Sequence, residues 1–166
     1  FEKYAYDLNY VKYGQLHYHV NTSQAIRVSC NYYYYELGYR MNDNFAAVDK
    51  TAKALGLGEP TGIELFEYTG YRAGPETKNK LYTGNNKYWS KSDQVLAAIG
   101  QSDNRFTPMQ LCTYAAALAN KGTRYKATLL NRIESADYRT KLLESSTGVM
   151  FQLEISDFAY QACLKG

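Results

Sequence analysis

Residues 21–38 have the sequence NTSQAIRVSCNYYYYELG, and they contain the most informative helix signals of the chain. Asn21 is followed three residues later by Gln24, a spacing that resembles a helix capping box. The apolar residues that come next have the spacing of one helical turn. The stretch therefore predicts a short helix that begins just after Asn21.

The middle of this stretch predicts a break. Serine and asparagine compete for backbone hydrogen bonds and favour caps and turns, so we expect the first helix to end near Ser29-Cys30-Asn31. The tyrosine run 32–35 fits either a strand or a helix over so few residues. Gly38 favours the helix, because glycine often follows the last helical residue.

Further signals along the chain are mostly helical. Residues 45–55 have an apolar face, with Asn42 or Asp43 as the cap, and Thr107 before Pro108 predicts another capped helix. Residues 59–92 predict a long, mostly irregular surface excursion, and the apolar run 95–100 fits a strand or a buried helical turn. Late in the chain we expect a hairpin and a helix, and the fold class is therefore α+β, mainly helical. The hairpin strands lie within 125–133 and 141–144, and Ser156 caps the last helix.

Composition indicates one globular domain over residues 1–166. The chain is 45% hydrophobic and 21% charged and has only three prolines. Its net charge of +3 is spread along the sequence, so no nucleic-acid partner is expected. The longest apolar run, 114–119, is far shorter than the roughly 18 residues that suggest a membrane span.

The sequence gives no clear metal or cofactor site, and we expect neither. Cys30, Cys112 and Cys163 are an odd number without CxxC spacing, which disfavours a disulfide framework and a zinc site. His17 and His19 would share a face of a strand, but no carboxylate or cysteine lies close in sequence to complete a site. A phosphate-binding glycine loop is also missing from the sequence.

The sequence segments around Ser29-Cys30-Asn31 make a functional role for this tripeptide more specific. Residues 21–38 resemble the region around the Ser-x-Asn motif of penicillin-binding protein transpeptidase domains. LGLGEPTGIEL (55–65), Trp89 and AIGQSDNRFTPMQL (98–111) resemble further segments of that family, in the right order. The chain is therefore identified as similar to the central part of a class B, high-molecular-mass transpeptidase, of the penicillin-binding/serine β-lactamase-like fold.

The resemblance implies acyl transfer in bacterial cell-wall synthesis. In the family a serine attacks a D-Ala-D-Ala stem peptide, a lysine takes its proton, and β-lactams trap the acyl-enzyme. These groups belong to Ser-x-x-Lys and Lys-Thr-Gly motifs, which the chain lacks, so they are expected before Phe1 and after Gly166. The chain alone is expected to be inactive, as part of a membrane-anchored protein on the extracytoplasmic face of the bacterial membrane.

The resemblance also assigns roles to the motif. Ser29 would relay a proton to the leaving amine, and Asn31 would hold the substrate carbonyl and the lysine. Cys30 should point the opposite way and be buried. Two alternatives remain open: a non-catalytic β-lactam sensor or scaffold, and a module that binds glycan or peptide through some of the 18 tyrosines.

Overall fold

The computed structural model describes residues 7–166, and the chain divides into two compact units. The first unit comprises the described residues up to Lys50 together with Tyr71–Arg105 and Ile155–Gly166. The second unit comprises Thr51–Gly70 and Phe106–Glu154. The assignment of residues 1–166 to one partial transpeptidase domain stays a prediction beside this division.

Helices dominate the described residues, which confirms the predicted α+β, mainly helical class. The α-helices are α1 Leu8–Tyr13, α2 Thr22–Arg27, α3 Asn31–Met41, α4 Ala46–Ala54, α5 Pro75–Leu81, α6 Lys91–Ala97, α7 Pro108–Ala119 and α8 Asp157–Lys165. The strands are β1 Thr123–Tyr125, β2 Arg132–Glu134, β3 Lys141–Glu144 and β4 Val149–Gln152. Over residues 7–166, every helix is too short or too polar to cross a membrane.

In the first unit, α3 packs against α6 along a stripe of small and aromatic side chains. Tyr35 and Val95 are buried together, and a Cβ on Gly38 would lie 2.6 Å from the Cβ of Ala98. The side chain of Gln94 donates to the carbonyl oxygen of Gly38 at 2.7 Å. Gly38 was predicted to close α3, but it lies inside the helix, where its missing side chain allows the close approach of α6.

Residues 59–92 are mostly irregular, as predicted, and they include α5, which begins at Pro75, and a 3-10 turn at Gly84–Lys87. Asn42 and Asp43 do not cap α4 as isolated residues, since they form a 3-10 turn that runs directly into it. The undecided run 95–100 is the end of α6 and its cap.

In the second unit, α7 begins with the predicted capping box. The hydroxyl of Thr107 accepts from the backbone N–H of Gln110. In return, the side-chain oxygen of Gln110 accepts from the backbone N–H of Thr107. Gln110 is fully buried, and its Nε2 donates at 2.8 Å to the carbonyl oxygens of both Glu59 and Thr69. One glutamine thus ties α7 to both ends of the loop 59–69.

The strands of the second unit form two separate antiparallel pairs. β2 pairs with β3, with Ile133 opposite Leu143, which places the predicted hairpin over a shorter range than 125–133. β1 pairs with β4, with Arg124 opposite Phe151, and this pairing was not predicted. The late sheet is therefore confirmed, with one more strand pair than expected.

Two glutamates fasten the loop that carries the Thr-Gly-Ile-Glu-Leu segment. Glu67 accepts from the backbone N–H of Thr61 at 2.8 Å and from that of Gly62 at 2.9 Å. Glu64 accepts from the hydroxyl of Thr128 and from the backbone N–H of Leu129. The hydroxyl of Thr128, followed by the amide of Leu129, lowers the pKa of the Glu64 carboxyl to about 2.

This shift predicts an acid-sensitive contribution of Glu64 to stability. Its pKa is lower in the folded state than the ordinary value of 4.5, so the contribution is full above about pH 5 and disappears as the pH falls toward 2. Glu64→Gln should therefore be less stable than wild type at pH 7 and equally stable near pH 2, measured by urea denaturation at each pH. A difference that stays constant across this range would show that the Glu64 charge does not contribute.

Candidate functional site

Ser29 lies at the end of α2 in a backbone conformation that usually requires glycine. Its φ is 52°, its N–H donates to the carbonyl oxygen of Ile26 at 3.0 Å, and the N–H of Cys30 donates to that of Ala25 at 2.9 Å. These two bonds form a Schellman cap, whose left-handed position is most often glycine. Helix α6 ends in the same arrangement with Gly100 at φ 79°.

The turn separates its three side chains as expected from the motif. Ser29 is exposed, Asn31 is half-buried as the first residue of α3, and Cys30 is only 3% exposed. The predicted burial of Cys30 is confirmed. The catalytic roles assigned to Ser29 and Asn31 stay predictions.

A second Ser-x-Asn tripeptide, Ser102-Asp103-Asn104, makes a useful contrast. Ser102 is also left-handed, with φ 62°, but the Asn104 amide is used within the fold. Its oxygen accepts from the N–H of Ala73 at 2.9 Å, and its nitrogen donates to the carbonyl oxygen of Gln101 at 3.0 Å. Among residues 7–166 the side chain of Asn31 makes no such bond, so its amide is free to meet a ligand.

Cys30 contacts two residues that are distant in sequence. One ligand atom from each of Asp7, His17 and Cys30 lies within 4.8 Å of the others, and we call these residues the Cys30 cluster. His17 Nδ1 lies 3.5 Å from Asp7 Oδ2, and both atoms are buried without a hydrogen-bond partner among the described residues. His19, in contrast, is exposed. The fold thus brings His17 to a carboxylate and a thiol that are distant in sequence, and the expectation of no metal stays a prediction.

The Cys30 cluster offers three different ligand groups to a cation. Burial, and then the charge of Asp7, raise the pKa of the Cys30 thiol, which disfavours a nucleophilic thiolate and means that a bound cation would have to displace the thiol proton. A carboxylate, an imidazole and a thiol are ligands that Zn²⁺ accepts. Binding would replace the thiol proton, because zinc binds the thiolate.

We expect Zn²⁺ to stabilise the full-length protein through this cluster. At a free zinc concentration 100 times the dissociation constant, the free energy of unfolding should rise by about 2.7 kcal/mol. Thermal denaturation with added Zn²⁺, reversed by EDTA, measures the effect. His17→Gln should remove it and the control His19→Gln should keep it. An equal shift in both variants would place the zinc elsewhere.

Comparison with known proteins identifies relatives in sequence and in fold. The penicillin binding protein transpeptidase domain family matches residues 2–161. The peptidoglycan D,D-transpeptidase MrdA of Acinetobacter baumannii is 31% identical over 118 residues, which is 70% of this chain and 17% of that protein. MrdA of Haemophilus influenzae is 31% identical over 115 residues, 69% of this chain and 17% of that protein. The chain thus spans about a sixth of their length.

Two solved structures have the same fold. Penicillin-binding protein 2B of Streptococcus pneumoniae superposes with a TM-score of 0.69 at 23% identity, covering 88% of this chain and 25% of that one. Penicillin-binding protein A of Mycobacterium tuberculosis, solved as a ceftriaxone acyl-enzyme complex, superposes with a TM-score of 0.63 at 23% identity. The match covers 88% of this chain and 28% of that one. At this identity the likeness concerns the fold alone. Because the sequence family accounts for nearly the whole chain, the protein belongs to the penicillin binding protein transpeptidase domain family.

Proposed function

We propose that the chain is the central part of a peptidoglycan D,D-transpeptidase that cross-links cell-wall stem peptides and is inhibited by β-lactams. The observation that carries this proposal is the Ser29-Cys30-Asn31 turn, with an exposed serine, a buried cysteine and an asparagine amide that has no hydrogen-bond partner among residues 7–166. The MrdA relatives support the same activity, since they are named as peptidoglycan D,D-transpeptidases.

In the proposed reaction, residues outside this chain supply the nucleophilic serine and its lysine. The serine oxygen attacks the carbonyl carbon of the penultimate D-Ala while the lysine accepts the hydroxyl proton. As the C–N bond breaks, Ser29 donates its hydroxyl proton to the nitrogen of the terminal D-Ala and takes up the proton held by the lysine, and D-alanine leaves as the free amino acid. The amine of a second stem peptide then attacks the ester carbonyl, and as the C–O bond breaks one amine proton passes through the same groups to the serine oxygen, which restores the serine.

Asn31 would bind the substrate in this reaction. Its amide can donate to the acyl carbonyl oxygen of a stem peptide or a β-lactam and accept from the ammonium group of the lysine. Such a substrate is met outside the cytoplasm, so we place the site at the extracytoplasmic face of a bacterial membrane, with the full-length protein anchored there and acting in cell-wall synthesis and cell shape.

Fluorescent penicillin tests the proposal on the full-length protein. Covalent labelling that survives denaturation is expected, together with cross-linked product from a stem-peptide substrate. Labelling without product would favour the β-lactam sensor or scaffold. If the purified, folded protein is not labelled at all, the transpeptidase assignment is wrong.

A further inference from the structure

The tyrosine run at the start of α3 contacts the first residue of α2. The hydroxyl of Tyr33 lies 2.8 Å from the hydroxyl of Thr22, and Tyr34 donates a longer bond, 3.4 Å, to the carbonyl oxygen of Thr22. The two tyrosine rings meet edge to face, with centroids 5.2 Å apart. We call these three residues the Thr22 clamp.

The clamp connects the two helices that flank Ser29. Helix α2 has only six residues, and helices this short are not stable without tertiary contacts. Within α2, Ala25 alone is buried, and the helix is positioned by packing against α8 and by the solvent-exposed hydrogen bonds at Thr22. Because α2 leads into Ser29 and α3 begins at Asn31, a contact between the helices at Thr22 constrains the distance between the two motif side chains.

The left-handed backbone of Ser29 needs such a constraint to persist. A non-glycine residue persists in such a conformation only where the surrounding contacts fix it. The Schellman bonds fix the turn at its own residues, and the clamp fixes the opposite end of α2. If α2 moved relative to α3, the Ser29 hydroxyl would move relative to the Asn31 amide.

We propose that Tyr33 is a positioning residue for acyl transfer, acting through Thr22 and α2 on the hydroxyl of Ser29. This inference rests on the proposed function. It assigns a role to one member of the tyrosine run without requiring that tyrosine to touch the substrate. Tyr33 thus differs from Ser29 and Asn31, which would contact the reacting groups.

Acylation kinetics of the full-length protein with a fluorescent penicillin test the role. Tyr33→Phe removes only the hydroxyl and should lower the limiting acylation rate constant about threefold to tenfold, the range expected for loss of one positioning hydrogen bond. The noncovalent dissociation constant and the melting temperature should hardly change. Thr22→Val should have the same effect, and the double variant should be no slower than either single one.

Hydrogen exchange and a matched control make the test specific. In Tyr33→Phe the amide of Cys30, which closes the cap, should exchange faster. Tyr138→Phe is the control, because Tyr138 is 82% exposed and should change neither quantity. Normal acylation by Tyr33→Phe, or additive effects in the double variant, would overturn the positioning role alone. Absence of labelling in the wild type would overturn the proposed function and this role with it.

Discussion

Replacing Ser29 by glycine in the full-length protein will slow acylation by penicillin about 10²-fold to 10⁴-fold, the usual contribution of a group that transfers a proton in the transition state. The substitution removes the hydroxyl that would protonate the leaving nitrogen, and it keeps the left-handed turn, which glycine adopts readily. The measurement is the second-order rate constant of labelling.

The same substitution should make the protein more stable. A left-handed conformation costs a non-glycine residue about 1–2 kcal/mol, and glycine loses about 0.5–1 kcal/mol more backbone entropy on folding. The difference leaves a gain of up to about 1.5 kcal/mol, which a urea denaturation curve can measure. Opposite changes in activity and stability are the signature of a strained residue that is kept for function.

Ser102→Gly is the matched control, since it makes the same chemical change at nearly the same φ. It should raise stability by a similar amount and leave acylation unchanged, because the Asn104 amide beside it is bonded within the fold. Equal acylation by wild type and Ser29→Gly would remove Ser29 from the mechanism. A loss of stability in Ser29→Gly would show that its hydroxyl, and not strain, dominates the local energy.

Gln110→Leu should destabilise the protein by about 2–5 kcal/mol, the largest stability effect expected of a single change here. Leucine fits the volume but cannot donate, so the half-buried carbonyl oxygens of Glu59 and Thr69 would each lose the hydrogen bond from Gln110. Each unsatisfied buried group costs about 1–3 kcal/mol, and the capping box of α7 is lost as well. Thermal and urea denaturation measure the loss.

Two further variants separate hydrogen bonding from shape. Gln110→Glu keeps the size and the acceptor but removes the donor and buries a charge, so it should be at least as destabilising as Gln110→Leu. The exposed Gln101→Leu makes the same change to leucine at the surface and should have little effect. A Gln110→Leu protein as stable as wild type would mean that water replaces both lost bonds.

Short-range signals predicted most of the helices correctly. The capping boxes at Asn21 and Thr107 and the cap at Ser156 each involve residues within three positions, so the sequence contains the whole interaction. Gly38 was misread because the residue that explains it, Ala98, lies on another helix. Sequence alone does not distinguish a glycine that ends a helix from a glycine that allows a neighbouring helix to pack closely.

In the candidate site, too, the local feature was predictable from the sequence and the long-range one was not. The Ser29-Cys30-Asn31 turn was visible in the sequence because both its break and its family motif are local. The Cys30 cluster was not, because Asp7, His17 and Cys30 have no regular spacing and meet only through the fold. Buried, unpartnered polar atoms are a signal that only coordinates reveal.

The first unit combines N-terminal helices with a C-terminal segment, and this affects how it folds during translation. A Cβ on Gly166 would lie 2.5 Å from the Cβ of Ile26, so the end of α8 rests directly on α2. Helix α2 leads into Ser29, and it therefore lacks part of its packing until the segment through Gly166 has left the ribosome. More than a hundred residues must be synthesised after the Ser29 turn before α8 can pack against α2. A chain released or truncated before α8 would therefore lack this packing, and its motif would be prone to misfold.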